Sequence, residues 1–192
     1  MPSRPVPVRR PSDERRRELV EAALRVMSRD GVAAASTRAI AAEAGMAQSR
    51  FHYCFRSKAE LLREVVETMV RNQVTSVLGA SGDVRTALRA YARHLVDHPE
   101  QHLLSYELTQ YALRTPGLAS LAAQQYQAYL DGAAEVLTTL GIDDPSAPRL
   151  VVALLDGVTL QWLVDRDVEA AVAVLERFAD QFAPPMRRRR AG

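Results

Sequence analysis

Gly45 is the residue that most constrains what this chain can fold into. It sits inside the stretch TRAIAAEAGMAQSRFHYCFRSK, from Thr37 to Lys58. A glycine adopts the left-handed backbone that closes a helix without the steric cost a Cβ would carry. On its N-terminal side, Thr37 is placed to cap a helix, and Ile40, Ala41 and Ala44 then share one face at helical spacing. On its C-terminal side, Met46 and Phe51 are spaced to pack back against Ile40 and Ala44. Gln48, Ser49, Arg50 and His52 are left pointing outward. Two short helices joined at one glycine, the second with a polar outer face, form the pattern of a helix-turn-helix DNA reader. Arg bonds guanine bidentately and Gln bonds adenine, so the composition suits a major groove. An ordinary helical hairpin with a solvated face has the same local pattern, and the pair alone leaves both readings open.

The flanking segments favour the first. An amphipathic helix is predicted from about Asp13 to Arg29, with Leu19, Ala22, Ala23, Val26 and Met27 as its apolar stripe and Asp30-Gly31 as its stop. After the pair, Ser57 is a candidate N-cap with Glu60 in the capping-box position, and Leu61, Leu62, Val65, Val66 and Met69 form the next stripe. Three helices leading into a fourth make a small DNA-binding head.

The order of these features, a helix, "GV", "TRAIAAEAG", a reading helix ending in "FHYCF", then "RSKAELL", resembles the N-terminal domain of the tetracycline-repressor (TetR) family of bacterial transcriptional regulators over about Glu14 to Val70. The resemblance implies that Thr37 and Lys58 touch the DNA backbone, that Gln48, Arg50 and His52 face base edges, and that Tyr53 bonds a phosphate. With Arg38 and Ser49, these form the expected DNA-binding set. The family usually carries Ser or Thr where this chain has Ala47, often Gly at Ser49, Tyr at His52, and His or Tyr at Cys54. The loss of the hydroxyl at 47 removes a cap or phosphate contact. With the change at His52, the operator sequence does not follow from the resemblance.

Charge is distributed as a DNA-binding head requires. Residues 1–62 hold 12 basic and 7 acidic side chains, and residues 63–186 hold 9 and 16, so a net charge of +2 conceals a basic head on an acidic body. Of the 25 basic residues 24 are Arg, which together with abundant Ala matches a GC-rich coding bias; Lys58 is the single Lys. At 192 residues the chain accommodates a flexible basic arm at 1–11, a helix-turn-helix domain at 12–58, a helical body at 59–183 and a basic tail at 184–192. Arg4, Arg9 and Arg10 in the arm could enter a minor groove or add nonspecific attraction, and Arg187 to Arg190 are read as a tail. No apolar run fits a signal peptide or a membrane helix. One cysteine, Cys54, makes no internal disulfide and fits a reducing cytoplasm, where a small buried hydrophobe is the usual role.

The body shows helical periodicity and no strand-like alternation, so the expected fold is all-α with about nine helices. Gly79 to Gly82 ends the fourth helix. Val84, Ala87, Leu88, Tyr91 and Leu95 mark a fifth, and His98-Pro99 starts a sixth that Thr115-Pro116-Gly117 stops. A seventh runs from about Leu118 to Leu140. LVVALLDGVTLQWLV, from Leu150 to Val164, is apolar over most of its circumference, and Val168 to Phe182 carries one apolar side. A helix apolar nearly all round needs partners on two sides, either a core or a second subunit. The resemblance implies a dimer on the last two helices, with Leu150, Leu154, Val158, Leu175 and Phe178 at the interface, binding a palindromic operator.

It also implies a pocket for a hydrophobic small-molecule effector in the body. Polar or aromatic groups interrupting apolar faces are the candidate lining: Tyr91, Tyr106, Glu107, Gln110, Tyr111, Tyr126, Tyr129, Gln161 and Trp162. His94, His98 and His102 recur at four-residue intervals, but Pro99 would break a continuous helix and keep the imidazoles off one face, so no metal or other cofactor is expected. Neither a phosphate loop nor a nucleophile elbow nor a paired-carboxylate pocket is recognisable, which leaves an enzyme without support. The expected protein is a cytoplasmic, dimeric regulator, a repressor by family analogy, that pairs with double-stranded DNA and no membrane. A DNA-binding protein without a ligand is the alternative.

Overall fold

The computed structural model describes residues 11–78 and 82–182; the arm with Arg4, Arg9 and Arg10, Gly79, and the run Arg187 to Arg190 lie outside the described residues, as does the side chain of Phe182. The described residues form nine α-helices and no strand: α1 Pro11–Asp30, α2 Thr37–Glu43, α3 Gln48–Cys54, α4 Lys58–Leu78, α5 Val84–Asp97, α6 Pro99–Arg114, α7 Ala119–Thr139, α8 Ala147–Asp165 and α9 Val168–Ala179, with a 3-10 turn at Asp180–Phe182. The chain is all-α, as its periodicity requires.

Caps set the boundaries of the head. Ser36, not Thr37, is the N-cap of α2: its backbone is extended and its side chain accepts from the Ala39 N–H at 3.1 Å. Thr37 is already the first helical residue. Gly45 follows α2 with a φ of +66°, the left-handed turn expected of it. Ala47 precedes α3 and gives it no side-chain cap, the consequence of the missing hydroxyl. At the start of α4, Ser57 Oγ accepts from the Glu60 N–H, and Glu60 reaches back to the Arg56 N–H at 2.9 Å.

Contact density divides the chain into two compact units. One comprises residues up to Met69 together with Leu103–Gln125; the other comprises Val70–His102 together with the residues from Tyr126 onward. The DNA-binding head therefore shares a unit with most of α6 and the first turns of α7. In this unit α1 packs on α2 and α3, and Leu19, Ala23, Met27, Ile40, Phe51, Phe55, Leu61, Leu62 and Val65 are all buried. Arg16 adds a polar staple. Its guanidinium bonds Glu60, Glu64 and the Cys54 carbonyl and lies 4.2 Å from the centre of the Phe55 ring, tying α1 to the start of α4. Glu43 on α2 accepts from Arg25 and Arg29 on α1 at 2.9 and 3.1 Å, and these bonds hold its carboxyl below the usual carboxylate range.

In the second unit α9 packs on α5 and α8. Leu88, Ala92, Val158, Leu175 and Ala179 form one buried cluster, and Tyr91, Leu95 and Trp162 form another. Arg85 and Arg89 on α5 reach Glu176 and Asp180 at the end of α9. Gly132 allows a close approach of α7 to α4: a Cβ there would stand 2.4 Å from Val74 Cγ2. By length and composition α8 is long and apolar enough to cross a bilayer, which differs from the expectation that no segment is. Its inward residues Val158 and Trp162 are used in the two buried clusters.

Candidate nucleic-acid interface and effector site

Helix α3 separates its residues by face. Phe51 and Cys54 are buried, whereas Gln48, Ser49, Arg50, His52 and Tyr53 are all exposed, Tyr53 by 73%. A tyrosine that open, next to a phenylalanine that is fully buried, is what a helix held by one side and offered by the other must show. The exposed side opens on a groove of about 490 Å³ lined by Arg15 and Glu18 of α1, the Gly45-Met46-Ala47 turn, and Ser49, Arg50 and Tyr53.

Ion pairing sorts the arginines of the head. Arg16, Arg17, Arg25 and Arg29 are engaged by Glu60, Glu64, Glu21, Asp30 and Glu43. Arg15, Arg38 and Arg50 carry no ion pair among the described residues, so their guanidinium groups keep their charge for an external anion. Arg15 was not legible as a site residue, because RRR at 15–17 reads as a uniform solvated run. The groove, and the pairing of Arg16 with Glu60 and Glu64, distinguish it from Arg16, one position on. Thr37 is half-buried and Arg38 exposed at the start of α2. Lys58 is turned inward: its Nζ donates to the Val32 carbonyl at 3.2 Å and stands 5.2 Å from the centre of the Tyr111 ring.

Among the residues expected to line an effector pocket, four gather in the second unit. Tyr91 is buried and its hydroxyl shares a hydrogen bond of 2.5 Å with Thr159 Oγ1; burial pushes the phenol's pKa upward. Trp162 is buried with its indole N–H unpartnered, and the Arg166 guanidinium lies 4.5 Å from its ring centre. Tyr126 donates to Asp156 Oδ2 at 2.9 Å, and its ring meets that of Tyr129 edge-on at 6.1 Å. Burial, then the bond to Asp156, raises Tyr126 to about 12, and burial raises the Asp156 carboxyl above its ordinary value.

Models of two families match the chain. The description "Bacterial regulatory proteins, tetR family" covers residues 19–65, and "Tetracyclin repressor-like, C-terminal domain" covers 80–181, more than half of the whole. A nicotine-responsive transcriptional repressor, HdnoR, from Paenarthrobacter nicotinovorans is 30% identical over 79% of this chain and 85% of its own length. The chain belongs to the TetR family of bacterial transcriptional regulators. Two solved structures extend the likeness. The multidrug binding protein EbrR, in complex with ethidium, is 30% identical over 85% of this chain and 97% of that one, with a TM-score of 0.66. A TetR-family member from Streptomyces coelicolor is 30% identical over 86% and 98%, with a TM-score of 0.67.

Several expected positions fall elsewhere in this TetR-family chain. Glu107 accepts from the Val32 N–H at 3.4 Å and Tyr111 lies under Lys58, so both serve the head's own unit. Tyr106 is half-buried in that unit too, while Gln110 and Gln161 are exposed. Val158 and Leu175 are buried inside the subunit, with Leu154 and Phe178 half-buried against the same cluster, so four of the five expected interface residues face their own core. Leu150 alone is open. The exposed stripe of α8 is instead Leu150, Ala153, Gly157, Leu160 and Val164, continued on α9 by Val168 and Val174. A helix apolar all round has no polar face to orient it, so the sequence does not show which side of α8 the chain's own core covers. Asp156 and Thr159 were also missed, although two polar residues in an apolar run were a signal available to be read.

Proposed function

We propose that this chain is a cytoplasmic homodimeric repressor. It reads a palindromic operator with Gln48, Arg50 and His52, and releases it when a small organic cation with an aromatic body binds in the second unit. The reading rests on one observation above all: α3 buries Phe51 and Cys54 and exposes every polar residue between Gln48 and Tyr53. Arg15, Arg38 and Tyr53 serve the phosphates. Thr37 adds a backbone contact, and Lys58 does so if its ammonium leaves Val32. The dimer is supported by the α8 stripe, whose spacing of three and four residues is that of a helix seam and whose centre is Gly157, where nothing stands within 4 Å of a Cβ.

The effector class follows from the chemistry of the cluster. Asp156 is an acid partly withdrawn from water and set among phenols, and a carboxylate with aromatic faces beside it attracts an organic cation by charge and by cation–π contact. Tyr91, Tyr126, Tyr129 and Trp162 provide the aromatic surface. Ethidium bound by EbrR and the nicotine response of HdnoR, both nitrogenous aromatic compounds, support this class. Helices α4, α6 and α7 each contribute to both units, and displacement of α4 on effector binding would couple the two ligands reciprocally.

Fluorescence anisotropy with the chain's own upstream DNA tests the proposal. Salt-sensitive, sequence-selective binding is expected, with release on adding ethidium. Asp156→Asn should leave DNA binding intact and raise the ethidium concentration needed for release by at least tenfold. DNA binding without any selective fragment would refute the operator reading. Equal release of both proteins would refute the role of Asp156.

A further inference from the structure

Three of the four histidines of this chain meet where α5 hands over to α6. Pro99 was expected to keep them apart. It does break the helix, but the break turns the chain at His98, so that α6 brings His102 back alongside α5. His94 Nδ1 and His102 Nε2 are 3.1 Å apart. The ring centres of His94 and His98 are 4.9 Å apart, and those of His94 and His102 are 5.2 Å apart. His102 is buried, with Tyr91 edge-on to its ring at 5.6 Å, while His98 is exposed at the C-cap of α5.

We propose that His94, His98 and His102 form a site for a borderline-soft divalent metal ion of the zinc class. Two imidazole nitrogens bound to one tetrahedral zinc ion, each at about 2.0–2.1 Å, lie about 3.3 Å from each other. The His94–His102 pair is within a few tenths of an ångström of that spacing. Its elements hold it there: His94 stands in the last turn of α5 and His102 in the first turn of α6, and the His98–Pro99 junction fixes the two helices end to end. As they stand, no three His, Cys, Asp or Glu side chains among the described residues are arranged to hold a metal ion. The pair, hydrogen-bonded as it stands, supplies the spacing of two ligands once the shared N–H has moved to the outer nitrogen of its ring, and His98 is the ligand that closes the site. Its side chain is open to solvent at the turn, with Nδ1 4.0 Å from Glu100 Oε1, so rotation toward the pair starts from an exposed position. A site of imidazoles alone selects zinc, nickel or copper over magnesium and calcium, which require oxygen ligands.

The chemistry has a local consequence. With the metal bound, the α5–α6 junction would be cross-linked at His94, His98 and His102, and the edge-on contact of Tyr91 with His102 would be held from the histidine side. The site is independent of the effector and operator assignments above.

The test uses the full untagged chain, stripped with a chelator and titrated with zinc, with cobalt as a spectroscopic substitute and magnesium as a control. One zinc per chain is expected, with a rise in melting temperature, none with magnesium, and the visible absorption of tetrahedral cobalt. His98→Asn changes only an exposed side chain and should fold normally while weakening zinc affinity at least tenfold; His94→Asn should do the same. Zinc uptake that does not saturate at one per chain, or that survives His98→Asn and His94→Asn unchanged, would leave a buried hydrogen-bonded histidine pair only and overturn the proposal.

Discussion

Arg15 and Arg50 line the same groove, and the proposed reading gives them different parts of a DNA duplex. Arg50 is on the exposed face of α3, where a guanidinium is able to pair with a base edge, and Arg15, which lines the groove from α1, is assigned to a phosphate. Arg50→Ala should therefore reduce discrimination at one base position of each half-site by about 1–3 kcal/mol. Arg15→Ala should weaken all sequences alike and lower the salt slope by about one per DNA-contacting chain. Anisotropy titrations of the operator and its single-base variants at several salt concentrations distinguish the two. A change of base preference in Arg15→Ala would remove it from the phosphate-contacting set. Arg16 is the internal comparison, since its charge is already consumed by Glu60 and Glu64.

At the scale of elements, α7 and α4 meet at Gly132, where the stiff β-branched side chain of Val74 fills the space a Cβ needs. Gly132→Ala gains helix propensity of about 1 kcal/mol, but the added methyl overpacks the α4–α7 contact at a cost of about 1–3 kcal/mol. A net loss of stability is expected in urea denaturation, and a companion Val74→Ala should relieve it. If Gly132→Ala proves more stable than the parent, the close approach of α7 to α4 is not as described. Acid acts on another junction. The Arg56 N–H and the Arg16 guanidinium hold Glu60 below the usual carboxylate range, so its contribution is present above about pH 4.5 and lost as the pH falls through its folded value. Glu60→Gln should flatten the loss of melting temperature below pH 4.5 while lowering stability at pH 7.

On the whole-molecule scale, the proposed dimer rests on the exposed apolar stripe of α8. Leu160 and Val164 are 54% and 81% exposed, too open for a subunit core and aligned with Leu150 and Gly157 along one line of the helix. Leu160→Arg should convert the dimer to a monomer in analytical ultracentrifugation and weaken operator binding far more than binding to a half-site, because the palindrome is then engaged one half at a time. Val158→Ala, on the opposite side of the same helix, should instead lower stability by about 1–3 kcal/mol without changing the oligomeric state, since it removes two methyls from the Leu88 and Leu175 cluster. A monomeric parent chain would remove the two-fold reader altogether.

The sequence by itself determined the all-α fold, the order of helices and the polar face of α3. Each of these depends on periodicity within one helix or on a local cap or turn, as at Gly45, Ser57 and Pro99, and such signals are carried by residues a few positions apart. It also determined the family, through the contiguous pattern from Thr37 to Lys58. Only the tertiary structure decided which arginines of the head are free, because Arg15 and Arg16 are equivalent until Glu60 and Glu64 arrive from another helix. The same holds for α8, whose inward and outward sides are chemically alike until α5 and α9 cover one of them. It holds as well for the histidines, which spacing along the chain separates at Pro99 and the turn at His98 brings together. Burial and charge pairing are properties of surfaces that meet across the fold, and spacing along the chain does not contain them.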